Sequence, residues 1–164
     1  MLERDIELEL LTEENFAQVR AIRREDVSEA FVDTADTIME LTRYGVEHGC
    51  LGHTYAIKFR GVYVGLILLG EALPWETDPD EMRREPFYRL MGFVIDNRYR
   101  GQGIGGYALE KVIELCYRDF GVRPIALGCH RENHQAAAFY QRHGFRQTDA
   151  MEHHDVYYLR YPQG

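Results

Sequence analysis

Glycine stands at 101, 103, 105 and 106 in the stretch Arg100-Gly101-Gln102-Gly103-Ile104-Gly105-Gly106. The stretch joins an apolar, strand-like run, Tyr88 to Ile95, to a helical pattern, Tyr107 to Asp119. At such a junction glycine lets backbone approach a ligand with no Cβ in the way. The first amides of the helix lack internal partners, and the helix dipole gives them partial positive charge. Together these make a seat for phosphate, and Arg100 adds a full charge. The chemistry implied is the holding of a phosphate-bearing cofactor. A dinucleotide fingerprint asks for G-x-G-x-x-G plus an acidic residue about 20 positions on, and that combination is absent. The Gly-Lys-Ser/Thr ending of a nucleotide-binding P-loop is absent too. The ordinary alternative is a flexible turn before a glycine-weakened helix.

A second segment lies downstream. Pro124 to Cys129 reads as a short buried strand. Asn133 follows as a helix N-cap, Ala136 to Ala138 favour helix, and Gly144 suits the position just past the helix end. The elements that must hold both segments are legible as patterns. Ile6, Leu8 and Leu10 alternate with acids, as in a half-exposed strand. Thr12 caps a helix running to about Arg23, and a second helix spans Thr34 to Glu47. Thr54–Phe59 and Val62–Leu69 form a hairpin turning at Arg60-Gly61. A polar, acidic loop fills 70 to 86. Further strands fall near Phe145–Thr148 and Val156–Tyr161. The order βααβββαβαββ predicts an α/β (α+β) fold with one mixed sheet flanked by helices.

The motifs R-x-x-G-x-G, at Arg100 to Gly105, and N-x-x-A-x-x-(F/L)-Y-x-x-x-G-F, at Asn133 to Phe145, resemble the two signatures of the GNAT family of N-acetyltransferases. The resemblance covers Phe59 to Phe145 well, and residues 1 to 58 only in general layout. It implies a mostly antiparallel sheet and acetyl-CoA as cosubstrate. Phe93, Val94 and Ile95 would offer backbone groups to the pantetheine arm, lying between two splayed strands that end near Ile95 and Cys129. The Val94 N–H would partner the oxyanion. Residues Gly101, Gln102, Gly103, Ile104, Gly105 and Gly106 would supply amides to the pyrophosphate, beside Arg100. Many relatives carry Lys or Arg where this chain has Gly106. Asn133 would hydrogen-bond the cofactor, or only cap its helix. Tyr140 matches the general acid. A phenol of pKa ~10 is protonated at neutral pH, so Tyr140 would enter the reaction holding the proton that a departing thiolate needs. Packing beneath its helix is the ordinary alternative for that ring.

The base and the acceptor are less determined. Some relatives place a glutamate on the strand before the second motif, but here that strand offers Gly128 and Cys129. Glu71, Glu76 and Glu85, or a held water, are the remaining candidates for the base. The family builds its acceptor pocket from the region just ahead of the cofactor strand. There the loop carries Glu71, Trp75, Glu76 and Glu85, and an aromatic ring with carboxylates suits an ammonium group. The order of segments, including Phe31-Val32-Asp33, resembles the spermine/spermidine branch most. Protein N-termini, aminoglycosides and amino acids stay open as acceptors, and so does a non-catalytic coenzyme A sensor on the same fold.

Composition narrows the classes. The chain of 164 residues suits a single domain, 1–164. Its net charge of −8 argues against a nucleic-acid partner and for small cationic ones. No apolar run approaches the ~20 residues of a membrane span. Met1 to Asp5 is charged and unlike a signal peptide, so a soluble cytoplasmic protein is expected. Cys50, Cys116 and Cys129 show no C-x-x-C spacing and read as reduced thiols. The histidines, including His153-His154, form no metal-ligand pattern, so no metal is expected. Monomer and homodimer both stay open.

Overall fold

The computed structural model describes residues Leu2 to Gln163. In chain order the elements are α1 (Leu2–Asp5), β1 (Ile6–Leu10), α2 (Phe16–Arg20), α3 (Ala35–Glu47), β2 (Gly52–Phe59), β3 (Val62–Glu71), α4 (Glu81–Arg84), β4 (Tyr88–Ile95), α5 (Ile104–Phe120), β5 (Ile125–His130), α6 (His134–Arg142), β6 (Arg146–Glu152) and β7 (Asp155–Arg160). A single turn of 3-10 helix, Asn97–Tyr99, links β4 to the glycine loop. The seven strands form one sheet in the order β1-β2-β3-β4-β5-β7-β6. Every neighbouring pair is antiparallel except β4 and β5. This is the expected mixed, mostly antiparallel α/β architecture, with two short helices added.

Alternation along the strands builds a core on each face. On one face Val64, Ile67, Leu69, Tyr88 and Leu90 meet Ala108, Leu109, Val112 and Cys116 of α5. On the other, Ala56, Leu66 and Val94 meet Val19, Ile38 and Met39 of α2 and α3. Residues 12–15 are not helical, although Thr12 was expected to open a helix. The Asn15 carboxamide accepts from the Thr12 amide at 2.8 Å and donates to the Leu10 carbonyl at 2.9 Å. These local bonds compete with the first helical turn. Conversely, α5 starts earlier than its pattern, because Gly103 in the left-handed region (φ 81°) lets the helix begin at Ile104.

Two irregularities shape the centre of the sheet. In β4 the pairing with β3 jumps from Leu68↔Met91 to Leu66↔Val94. Gly92 and Phe93 thus face the single residue Ile67, a bulge, with Gly92 at φ 64°. Beyond it, β4 and β5 share only the register pairs Tyr88↔Ile125 and Arg89↔Ala126. The two strands part from there.

Candidate active site

A cavity of about 310 Å³ opens beside that parting. Leu90 to Phe93 of β4 form one wall and Leu127 and Gly128 of β5 the other. The segment 29–33, with Thr37 and Leu41 of α3, borders it, and Tyr140 of α6 reaches in.

Backbone direction decides which amides face the gap. Successive N–H and C=O groups along a strand point to opposite neighbours. The Asp96 amide donates to the Val64 carbonyl of β3 at 2.7 Å. The Val94 carbonyl also lies on the β3 side, 2.8 Å from a Cβ built at Gly65. By this alternation the Val94 amide points toward β3, not toward the gap. The expected oxyanion role of the Val94 N–H is therefore corrected: Phe93 and Ile95 are the residues whose backbone groups face the parting. The Val94 side chain is buried with α2 and α3.

The glycine loop leads from this gap to α5. Gly101 and Gly103 have φ of 77° and 81°, where a side chain is disfavoured. Gln102 is exposed, whereas Ile104 is fully buried and anchors the helix start. No side chain caps α5, so its first amides remain open. Arg100 donates to the Ile95 carbonyl at 2.9 Å and pairs with Asp26, so its charge is shared with a carboxylate. Against Gly106 lies the His143 imidazole, whose Nε2 would sit 3.2 Å from a Cβ there. The other ring nitrogen of His143 bonds Glu110 at 2.7 Å. Asn133 uses its side chain as an N-cap, accepting from the Ala136 amide at 3.3 Å.

Tyr140 packs between Phe139 and Phe145, with centroid distances of 5.4 and 5.6 Å. Its hydroxyl has no hydrogen-bond partner among the described residues, and the residue lines the cavity. Burial, helped by the nearby Cys129 thiol, pushes its pKa well above the ordinary phenol value. The ring stays neutral, as a proton donor must.

The acidic loop divides. Trp75 lines the cavity with its ring 3.6 Å from the Arg89 guanidinium. Arg89 is itself buried and paired with Asp78 at 3.1 Å, and Tyr157 donates to the other Asp78 oxygen at 2.9 Å. Glu71 instead accepts from the Leu51 amide at 3.0 Å, holding the end of the β2–β3 hairpin. Glu76 offers its carbonyl to Arg83. Neither these two nor Glu85 lines the cavity. The carboxylates that do are Glu29, Asp33, Glu152 and Asp155. Burial raises the pKa of both Asp33 and Asp155. Sequence reading missed all four, because they come from distant segments and carry no motif.

Among the described residues no group of three or more His, Cys, Asp or Glu has an arrangement that could hold a metal ion, and no helix is long and apolar enough to cross a membrane. All three cysteines are free, and burial pushes Cys116 and Cys129 up to about 11.

Open helix amides, left-handed glycines and an unpaired strand edge fit a coenzyme with a diphosphate and an extended amide-bearing arm. The model of the family described as "Acetyltransferase (GNAT) family" matches residues 16–145. The chain belongs to that family, and it is an acetyl-CoA-dependent N-acetyltransferase. No curated protein sequence matches it. Similar solved structures include the Salmonella typhimurium acetyltransferase that modifies the N-terminal serine of ribosomal protein L7/L12. It is 15% identical, with 99% of this chain and 98% of that one covered, at a TM-score of 0.76. The aminoglycoside acetyltransferase AAC(6')-Ib in complex with coenzyme A is 19% identical, with 96% and 95% covered and a TM-score of 0.72. Arabidopsis thaliana Naa50, in complex with a bisubstrate analogue, is 19% identical, with 94% and 97% covered and a TM-score of 0.64.

Proposed function

We propose that this acetyltransferase acts on a primary amine carrying further positive charge, such as a polyamine, in a ternary complex with acetyl-CoA. The carrying observation is the charge of the cavity. Four carboxylates line it, and its one guanidinium, Arg89, is already paired with Asp78. Several carboxylates at close quarters favour a multiply charged amine over a neutral-tailed one. The aminoglycoside acetyltransferase among the neighbours is named for an amine-bearing acceptor of that kind, whereas the Salmonella typhimurium neighbour modifies a protein's N-terminal serine.

In this reading the amides of residues 101–106 hold the diphosphate, and the backbone of Phe93 and Ile95 holds the pantetheine arm. The Phe93 N–H is the oxyanion partner. Bound there, acetyl-CoA supplies the acyl group. Tyr140 gives its proton to the departing sulfur. Its hydroxyl, unpartnered among the described residues, favours catalysis over the coenzyme A sensor reading.

Thiol release with polyamines, aminoglycosides, amino acids and N-terminal peptides tests the proposal. The triple variant Glu29→Gln, Asp33→Asn, Glu152→Gln should raise KM for polyamines while leaving KM for acetyl-CoA unchanged. Wild-type KM for polyamines should rise with salt, since screening weakens charge attraction. Equal KM values for charged and neutral-tailed amines at low and high salt would overturn the substrate class.

A further inference from the structure

The missing side chain at Gly128 and the nearest carboxylate to it belong together. A Cβ built at Gly128 would lie 3.3 Å from Asp155 Oδ2 and 3.4 Å from Asp155 Cβ. In register, Gly128 pairs with Tyr157 of β7, and Asp155 pairs with His130. Asp155 is therefore the diagonal neighbour of Gly128, two residues along the adjacent strand, within reach for a side chain that leans over. Because β5 carries no side chain at 128, the Asp155 carboxylate fills that space. Both residues line the cavity, as does Tyr140.

Resting on the acetyltransferase reading above, we propose that Asp155 is the proton acceptor for the incoming ammonium group, reaching across from β7 over the bare Gly128 of β5.

Three observations support it. First, the Asp155 carboxylate takes no hydrogen bond or ion pair from any described residue, although it is only partly exposed. The other cavity acids differ: Glu152 accepts from the Thr77 hydroxyl at 3.1 Å, and Glu29 and Asp33 are exposed. Second, Asp155 and Gly128 sit on paired strands, which hold a reacting group more firmly than a loop does. Third, the groups around Asp155 tune it as a base. His130 of β5 and His154 of the β6–β7 turn pull its pKa down. Burial, first, and then Glu152 of β6 and Asp33 of the 29–33 segment push it up, and the upward effects win. A carboxylate raised from its usual range is a better base for a protonated amine.

The proton inventory closes. The ammonium nitrogen loses one proton to Asp155, and its freed lone pair forms the new C–N bond as the C–S bond breaks. The sulfur takes the hydroxyl proton of Tyr140. The second nitrogen proton passes through solvent to the Tyr140 oxygen, and Asp155 releases its own to solvent. The sum is ammonium plus thioester giving amide, thiol and one proton.

The test begins with wild type on the best amine of the panel; absence of turnover there would count against the substrate reading, not this one. With an active pair in hand, Asp155→Asn should lower kcat by about 10²-fold or more. Amine affinity, read from Trp75 fluorescence, should change far less, because Glu29, Asp33 and Glu152 remain. Acetyl-CoA affinity by calorimetry should be unchanged. The acidic limb of the wild-type pH–rate profile should vanish, leaving residual activity that climbs toward the amine's own pKa of ~10.4. A profile parallel to wild type would overturn the proposal. The relocation variant Gly128→Glu with Asp155→Ala guards against a folding defect. Gly128 lacks the positive φ that would forbid a side chain, and removing Asp155 vacates the space. Recovery of at least tenfold over Asp155→Ala alone supports a movable base. A folded, coenzyme-binding relocation variant with no recovery overturns it.

Discussion

Gly92 presses its bare Cα against Ile38: a Cβ at 92 would fall 2.4 Å from Ile38 Cγ1 and 2.5 Å from its Cδ1. The contact locks α3 onto the β4 bulge, one residue before the backbone that faces the gap. Gly92→Ala should therefore cost about 2–4 kcal/mol, from overpacking plus a non-glycine residue at positive φ. Ile38→Ala in the same chain should recover the packing share of that loss but not the backbone share. Denaturant unfolding of the two single variants and the double variant would show this as a coupling between the sites. Strictly additive losses would mean that α3 shifts aside freely.

The loop glycines bear on coenzyme affinity. Near Gly103 a Cβ meets only Leu2 Cδ1, at 3.3 Å. A side chain there thus projects into open space by the helix amides. Gly103→Glu should weaken coenzyme A binding at least ~10-fold, since a like charge beside a diphosphate is strongly unfavourable. The fold should persist with a loss of about 1–2 kcal/mol from the positive φ. Calorimetry with unchanged affinity would remove this loop from the coenzyme site.

Tyr140→Phe keeps the ring between Phe139 and Phe145 and deletes a hydroxyl that has no partner among the described residues. Stability should hold within about 0.5 kcal/mol. Turnover should fall about 10²-fold, with coenzyme affinity little changed. Single-turnover rates equal to wild type would return the ring to a packing role.

Asp96 gives the chain an acid-sensitive joint. Its side chain is fully buried and accepts from the Arg98 guanidinium at 2.8 and 3.0 Å and from the Arg23 and Arg98 amides, each at 2.9 Å. The Arg98 guanidinium, opposed by burial and helped by those amides, holds its pKa far below the usual carboxylate range. A depressed pKa stabilises the fold above the unfolded value of ~3.9, and that share is lost as pH falls below it. Unfolding free energy should therefore drop steadily below about pH 4. Asp96→Asn should be less stable at pH 7 and show a shallower slope in acid. Equal slopes would place the acid sensitivity elsewhere, with Asp78 the next carboxylate to vary.

Much of the fold could be read because its signals are local. The apolar run of β4 is bounded by Pro86 on one side and Asp96-Asn97 on the other, and its limits were read correctly. Helix α2 was over-extended because Thr12 and Asn15 satisfy backbone groups in a turn, which a cap-and-period reading takes for a helix start. The loop glycines and Tyr140 stood out through spacing. The acidic wall of the cavity could not, because Glu152 and Asp155 come to it through the sheet order β4-β5-β7-β6, and Glu29 and Asp33 from the separate 29–33 segment. One faint signal bore on Asp155: the bare Gly128 leaves a place on β5 that a side chain from another strand can fill. The direction of the Val94 amide was likewise out of reach, since it depends on the register set by the Gly92 bulge.

The parting of β4 from β5 after two register pairs carries a consequence for how such a sequence can age. An amide is supplied by every residue except proline, whatever its side chain. The grip proposed for Phe93, Ile95 and the helix-start amides would therefore be silent to most substitutions, provided the bulge and the left-handed glycines survive. The fold is shared over 99% of this chain with a neighbour only 15% identical. Acceptor choice, which the proposed function writes in cavity side chains such as Asp33 and Glu152, has no such shelter and would change within a few substitutions.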